Sequence, residues 1–155
     1  MKKRMNIKKR IALIAHDHMK DEMISWVREN KEELAKHRLC GTGTTAMLIE
    51  KLTGLEVEKY KSGPLGGDAQ ISAEITNGNI DMAIFFSDPL AAQPHDPDIR
   101  ALLRLAILYD IPLANNRATA SFIIKSEYMH SDYERNIMDS GELASEREKQ
   151  FSHLK

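Results

Sequence analysis

The run Ser62-Gly63-Pro64-Leu65-Gly66-Gly67-Asp68 joins two different periodicities. Before it, Leu55 to Tyr60 alternates with the period of a strand. After it, Ala69 to Asn77 has helical spacing and stops at Asn77-Gly78. A strand that passes into a helix through a glycine-rich loop is the unit of an open α/β sheet. Ligands of such sheets sit just beyond the carboxyl ends of the strands. The glycines let the main chain approach a ligand closely, and Pro64 stiffens the loop. Asp68 is the only ionisable side chain in the run and stands where the helix begins. Two roles are open to it. Asp is a favoured helix cap, and a carboxylate held at the tip of a rigid loop can act as a general base.

Working outward, the same unit recurs. Ile11 to Ala15 is a continuous apolar run, as a strand covered on both faces requires. A first helix is expected over Met19 to Leu34, with Asn30 interrupting its apolar stripe. Arg38-Leu39-Cys40 reads as a second strand and Thr44 to Leu52 as a second helix, stopped by Gly54. Ile80 to Phe86 is another central strand. Asp96-Pro97 opens a helix with a cap and a proline at its first position. Leu113-Ala114 is a short strand, followed by a helix over Ala118 to Ile124. This alternation predicts one domain over residues 1–155, a Rossmann-like three-layer α/β/α arrangement around a parallel sheet of about five strands. Residues 1–9 read as a solvated basic tail and 126–155 as a polar tail with a helix around Glu142 to Leu154.

Composition narrows the function. The chain has 155 residues, 42% hydrophobic and 29% charged, with a formal net charge of -1. That balance gives no basic surface for nucleic acid, and no apolar run reaches the length of a membrane span. The basic stretch before Ile11 is followed by too short an apolar run for a signal peptide, because His16-Asp17-His18 breaks it. One cysteine, Cys40, excludes an intrachain disulfide and fits a reducing cytoplasm.

In a parallel sheet, the loops after the first four strands gather on one edge, so four polar clusters become neighbours. They are His16-Asp17-His18-Met19-Lys20, Gly41 to Thr45, Ser62 to Asp68, and Ser87-Asp88-Pro89 through Pro94-His95-Asp96-Pro97-Asp98. Thr42-Gly43-Thr44-Thr45 offers hydroxyls, flexible amides and a helix start, which suits a phosphate. The alternative is a tight turn with threonine caps. Ser62 and Gly63 could add a hydroxyl and an amide, and Lys20 a positive charge. Neither the P-loop nor the dinucleotide fingerprint is present, so a small phosphorylated ligand is expected rather than a nucleotide. His95, between two prolines, has a set direction from which it could stabilise negative charge on a carbonyl oxygen. His16-x-His18 has the look of a metal pair, but no third ligand is evident and no metal is expected.

Ile11-Ala-Leu-Ile-Ala-His-Asp-His18, Thr42-Gly-Thr-Thr45, Ser62-Gly-Pro-Leu-Gly-Gly-Asp68, Asp88-Pro-Leu90 and Gln93-Pro-His-Asp-Pro-Asp98 together resemble the methylglyoxal synthases. The resemblance runs from Ile11 to about Ile124. It implies an enzyme that converts dihydroxyacetone phosphate to methylglyoxal and inorganic phosphate without a cofactor. It further implies a homohexamer inhibited by phosphate. Carried over by position, Asp68 is the catalytic base, and His95 contacts the substrate carbonyl. Asp17 and Asp98 are the other active-site acids. His16, Lys20, Thr42, Gly43, Thr44, Thr45, Ser62 and Gly63 contact substrate and phosphate. Gly41 and Asn115-Asn116-Arg117 depart from the family pattern, and the chain after Ser126 aligns poorly, although Arg147 could match an arginine that holds phosphate across a subunit boundary in some relatives. The competing expectation is a binding module, since a similar fold forms the ligand-sensing regulatory domain of carbamoyl-phosphate synthetase. The complete set Asp17, Asp68, Asp98 and the presence of His95 favour the enzyme.

Overall fold

The apolar run Ile11 to Ala15 lies at the centre of a five-stranded parallel sheet, buried along its whole length. The computed structural model describes residues 1–90, 96–138 and 140–154, without the side chains of residues 96–98, 140 and 142. Along the chain run β1 (Lys2–Met5), β2 (Arg10–Ala15), α1 (Lys20–Glu29), α2 (Lys31–Leu34), β3 (Arg38–Gly41), α3 (Gly43–Thr53), β4 (Val57–Lys59) and α4 (Gly67–Thr76). Then come β5 (Met82–Phe86), α5 (Asp96–Leu108), β6 (Leu113–Ala114), α6 (Arg117–Ile124), β7 (Tyr133–Asn136) and α7 (Ser140–Gln150). The main sheet has the order β4-β3-β2-β5-β6, all neighbours parallel.

The central strands sort their side chains by the period of two. Ile11, Leu13 and Ala15 of β2, with Met82, Ile84 and Phe86 of β5, enter one core with Met23, Trp26, Val27, Leu34, Ile49 and Ile124. Ala12, Ile14, Ala83 and Phe85 enter the other, with Ile71 and Ile75 of α4 and Leu102 and Ala106 of α5. Helices therefore cover both faces, giving the three layers expected of a strand with no polar side. Trp26 is fully buried, and its indole N–H donates to Ser121 Oγ at 3.2 Å, joining α1 to α6. Gly41 is required by packing, because a Cβ there would lie 2.6 Å from the Leu13 carbonyl oxygen.

The strand order places the site. From β2 the chain builds outward through β3 and β4, then returns to set β5 and β6 on the other side of β2. Connections from the neighbours β2 and β5 thus leave in opposite directions, which opens a crevice beyond their carboxyl ends.

Three details differ from the sequence-based expectation. The basic stretch 1–9 is no solvated tail: Lys2–Met5 pairs antiparallel with Tyr133–Asn136, from the stretch expected to be a polar tail. Met5 and Lys9 are buried, and Lys9 Nζ donates to the carbonyls of Asn6 at 2.6 Å and Ser131 at 2.5 Å. The alternation was hidden because basic residues occupy it, their stems lying on the surface while their heads stay polar. Arg135 of β7 is fully buried; one of its N–H groups donates to the Tyr109 carbonyl at 3.3 Å, and burial pushes its pKa down. Finally, the first helix divides at Asn30, whose amide side chain and main-chain N–H both donate back to the Trp26 carbonyl. Such local competition for helix carbonyls ends a helix.

Candidate active site

Asp68 owes its position to the loop before it. Ser62 is extended, Gly63–Leu65 forms a 3-10 turn containing Pro64, and Gly66 takes a left-handed φ of 93°. The N–H groups of Leu65 and Gly67 both donate to the Ser62 carbonyl at 3.0 Å, which closes the loop. Gly67 then passes so near the preceding chain that a Cβ on it would fall 1.7 Å from the Lys61 carbonyl oxygen. Gly66, not Asp68, holds the cap position of α4, and no side chain caps that helix. The cap role therefore does not account for Asp68. Its side chain lines a cavity of about 620 Å³ at the carboxyl edge of the sheet. Among the described residues no hydrogen bond or ion pair occupies its carboxylate.

The β3 and β4 loops meet along one wall of that cavity. Gly43 N–H donates to the Lys61 carbonyl at 3.1 Å, and a Cβ on Gly43 would stand 2.9 Å from the Tyr60 carbonyl oxygen. The Gly43 amide is thus committed to the fold. Thr42 sits at the cap position of α3 without a side-chain cap bond; its hydroxyl lies 3.4 Å from that of Thr45. Thr45 is buried and turns inward, with its hydroxyl 3.4 Å from the Ala15 carbonyl. Thr42, Thr44, Ser62 and Gly63 line the cavity, whereas Gly43 and Thr45 do not. The main-chain N–H groups of Thr44 and Thr45, in the first turn of α3, have no acceptor among the described residues. Unpaired amides at a helix start, with hydroxyls beside them, suit an oxyanion.

The β2 loop supplies charge and imidazole. Lys20 Nζ donates to the Ala15 carbonyl at 2.7 Å and pairs with Asp17 Oδ1 at 3.1 Å. The Lys20 hydrogen bond holds the Asp17 carboxyl below the usual range, although that side chain is 93% exposed at the cavity mouth. His16 faces the cavity and packs edge-on against Phe85, ring centroids 5.2 Å apart. Its Nδ1 accepts the main-chain N–H of Asp88 at 3.0 Å. His18 lies 2.9 Å from an Asp88 carboxylate oxygen. The Nδ1 atoms of both rings thus contact the same neighbouring residue. Among the described residues no group of three His, Cys, Asp or Glu side chains is placed to hold a metal ion. Cys40 is buried away from the site, and burial pushes its thiol up to about 12.

His95 lies outside the described residues, and so does the side chain of Asp98. Asp88, from the fourth polar cluster, lines the cavity, whereas Ser72, Phe85 and Leu102 of its wall were not singled out in the sequence. Ser72 was legible in principle, since it stands four residues after Asp68 on the same face of α4. Phe85 and Leu102 carry only a core signal. Arg117, one of the departures from the family pattern, binds Glu22, Ser25 and Glu29 of α1, at 3.3, 3.1 and 2.7 Å, and is absent from the cavity wall.

A Rossmann-like sheet with an anion-suited crevice at its reversal point defines the class, and residues 22–115 match the model of the MGS-like domain. The methylglyoxal synthase of Clostridium acetobutylicum is 62% identical over 135 residues, covering 87% of this chain and 93% of that protein. The methylglyoxal synthase of Leptospira interrogans is 52% identical over 130 residues, covering 84% of this chain and 88% of that one. The crystal structure of methylglyoxal synthase from Elizabethkingia anophelis NUHP1 superposes with a TM-score of 0.85 at 45% identity, over 90% of this chain and 91% of that one. The chain belongs to the methylglyoxal synthase family of enzymes.

Proposed function

We propose that the protein is a carbon–oxygen lyase that converts dihydroxyacetone phosphate to methylglyoxal and inorganic phosphate, with Asp68 as the general base. One observation carries this reading: the Asp68 carboxylate, without a partner among the described residues, shares a cavity with Thr42, Thr44, Ser62, Gly63 and Lys20. A base and an anion grip within one small cavity match a substrate with an acidic C–H at one end and a phosphate at the other.

The phosphate lies against the Thr44 amide and the hydroxyls of Thr42, Thr44 and Ser62, with Lys20 supplying charge. Asp68 takes a proton from the hydroxymethyl carbon beside the ketone. The electron pair moves into a carbon–carbon double bond, and the carbonyl oxygen becomes an enediolate. Donors aimed at that oxygen stabilise it; His16 and His95 are assigned to it. The former carbonyl oxygen takes a proton, and the hydroxyl on the deprotonated carbon gives one up and becomes the aldehyde carbonyl. The double bond shifts to the neighbouring carbon pair as the bond from carbon to the phosphate oxygen breaks. Phosphate leaves, and the resulting enol gains a solvent proton on its terminal carbon and loses its hydroxyl proton to give methylglyoxal. Elimination needs the breaking bond perpendicular to the enediolate plane, where it overlaps the π system. The grip on the phosphate has the task of holding it there. Asp17 and Asp98 complete the acids of the site. A homohexameric assembly in the cytoplasm, with phosphate as inhibitor, belongs to the same reading.

Turnover in heavy water tests it. The expected methylglyoxal carries a single deuterium in its methyl group, because the enol is protonated from solvent at that carbon. Recovery of a phosphorylated aldose instead would mean that the site isomerises its substrate and keeps the phosphate.

A further inference from the structure

Asp88 joins the two loops that flank the reversal point of the sheet. One carboxylate oxygen accepts the Leu90 N–H at 2.9 Å, which folds the start of the β5 loop into a turn. The other lies 2.9 Å from His18 Nδ1. An ionised carboxylate only accepts hydrogen bonds, so His18 Nδ1 carries the proton of that contact. The Asp88 main-chain N–H donates to His16 Nδ1 at 3.0 Å. A main-chain amide can only donate, so His16 Nδ1 is bare and its ring hydrogen sits on Nε2. The His16 N–H bonds the Phe86 carbonyl at 3.1 Å, so the main chain of β2 is tied to β5 at the same point.

The burial of the pair is lopsided. The His18 side chain is 85% exposed, whereas that of Asp88 is 10% exposed. An exposed imidazole lying over a half-buried carboxylate contributes little to core packing. Its hydrogen bond and that of the Leu90 N–H together restrain the Asp88 side chain, in the turn that carries the Asp88 amide to His16.

We propose that His18 is a positioning residue: by holding the Asp88 carboxylate it keeps the Asp88 amide on His16 Nδ1 and so fixes His16 as the Nε2–H tautomer, a hydrogen-bond donor to substrate oxygen. The assignment deepens the lyase reading, because the donor it fixes lines the same cavity as Asp68.

The test combines nitrogen NMR of histidine-labelled protein with steady-state kinetics on dihydroxyacetone phosphate. A His16→Gln variant identifies the His16 resonances. In the native chain His16 shows one bare and one protonated ring nitrogen. In His18→Ala the two resonances move toward each other as the tautomers mix. There kcat/KM falls on the order of tenfold, the usual effect of one hydrogen bond to a charged group, and the loss lies mainly in kcat because His16 is aimed at the oxygen that becomes the enediolate. His18→Asn keeps a donor where Nδ1 stands and restores both the tautomer and kcat. Unchanged His16 resonances in His18→Ala overturn the proposal, and they do so even if kcat falls, since His18 would then act on substrate directly. The NMR readout needs no turnover, so an inactive native protein would count against the lyase reading and leave the tautomer assignment to stand or fall separately.

Discussion

Asp68→Asn is expected to lower kcat by at least ~10²–10⁴, the usual loss on removing a general base. Asparagine has nearly the shape of aspartate and no basicity, so it isolates proton removal from packing. Among the described residues no side chain or amide uses the Asp68 carboxylate, so the substitution strands no partner. Its structural cost is limited to the interaction of an acid with the first turn of α4, about 0.3–1 kcal/mol. Binding of substrate should be largely kept, since the phosphate is gripped by the β3 and β4 loops. The measurement is kcat beside the denaturation midpoint. A variant with near-native kcat would remove Asp68 from the base role. A variant that lost both activity and fold would show that the carboxylate has a structural role in place of the catalytic one.

Gly67→Ala is the second large effect, and it comes from one added methyl group. That carbon would be placed 1.7 Å from the Lys61 carbonyl oxygen. The contact is with main chain on both sides, so no rotamer change relieves it. The loop must shift by roughly an ångström or more to restore ordinary contact. Asp68 follows directly in sequence and moves with it. A misplacement of about 1 Å at a reacting group costs about 10²-fold in rate, and overpacking of this kind costs ~1–3 kcal/mol in stability. Both losses are expected together, read by kcat and by urea denaturation. Gly63→Ala is the control for stability alone, because a Cβ there meets nothing within 4 Å. If Gly67→Ala kept native activity, the tight passage of the chain at Lys61 would not be what aims Asp68.

Much of the fold was legible because the two central strands state it plainly. Ile11 to Ala15 and Met82 to Phe86 are apolar on both faces, and only a covered parallel sheet has use for such strands. The loops between them fell on one edge for the same reason, and that edge holds Thr42, Thr44, Ser62 and Asp68 around one cavity. What stayed hidden lacked a local signal. β1 and β7 are far apart in sequence, and their pairing is carried by lysine and arginine positions that look solvated. Thr45 shares its motif with Thr44, yet helical rotation turns it under the loop toward Ala15. The commitment of the Gly43 amide to Lys61 depends on the meeting of two loops. Asp88 was visible as part of a polar cluster, but its tie to both His16 and His18 exists only once β2 and β5 are neighbours. Residue types that carry chemistry are visible in sequence, whereas the choice among adjacent hydroxyls and amides is made by tertiary contact.

If a single carboxylate drives phosphate off a triose, the two products must form together in equal numbers. Purified protein is incubated with dihydroxyacetone phosphate, and inorganic phosphate and methylglyoxal are quantified together over time. The two are expected in equal amounts with native Asp68, and both nearly vanish in Asp68→Asn. Tight binding of the triose phosphate by the native chain, with no phosphate released, would contradict it and leave a ligand-sensing module in its place.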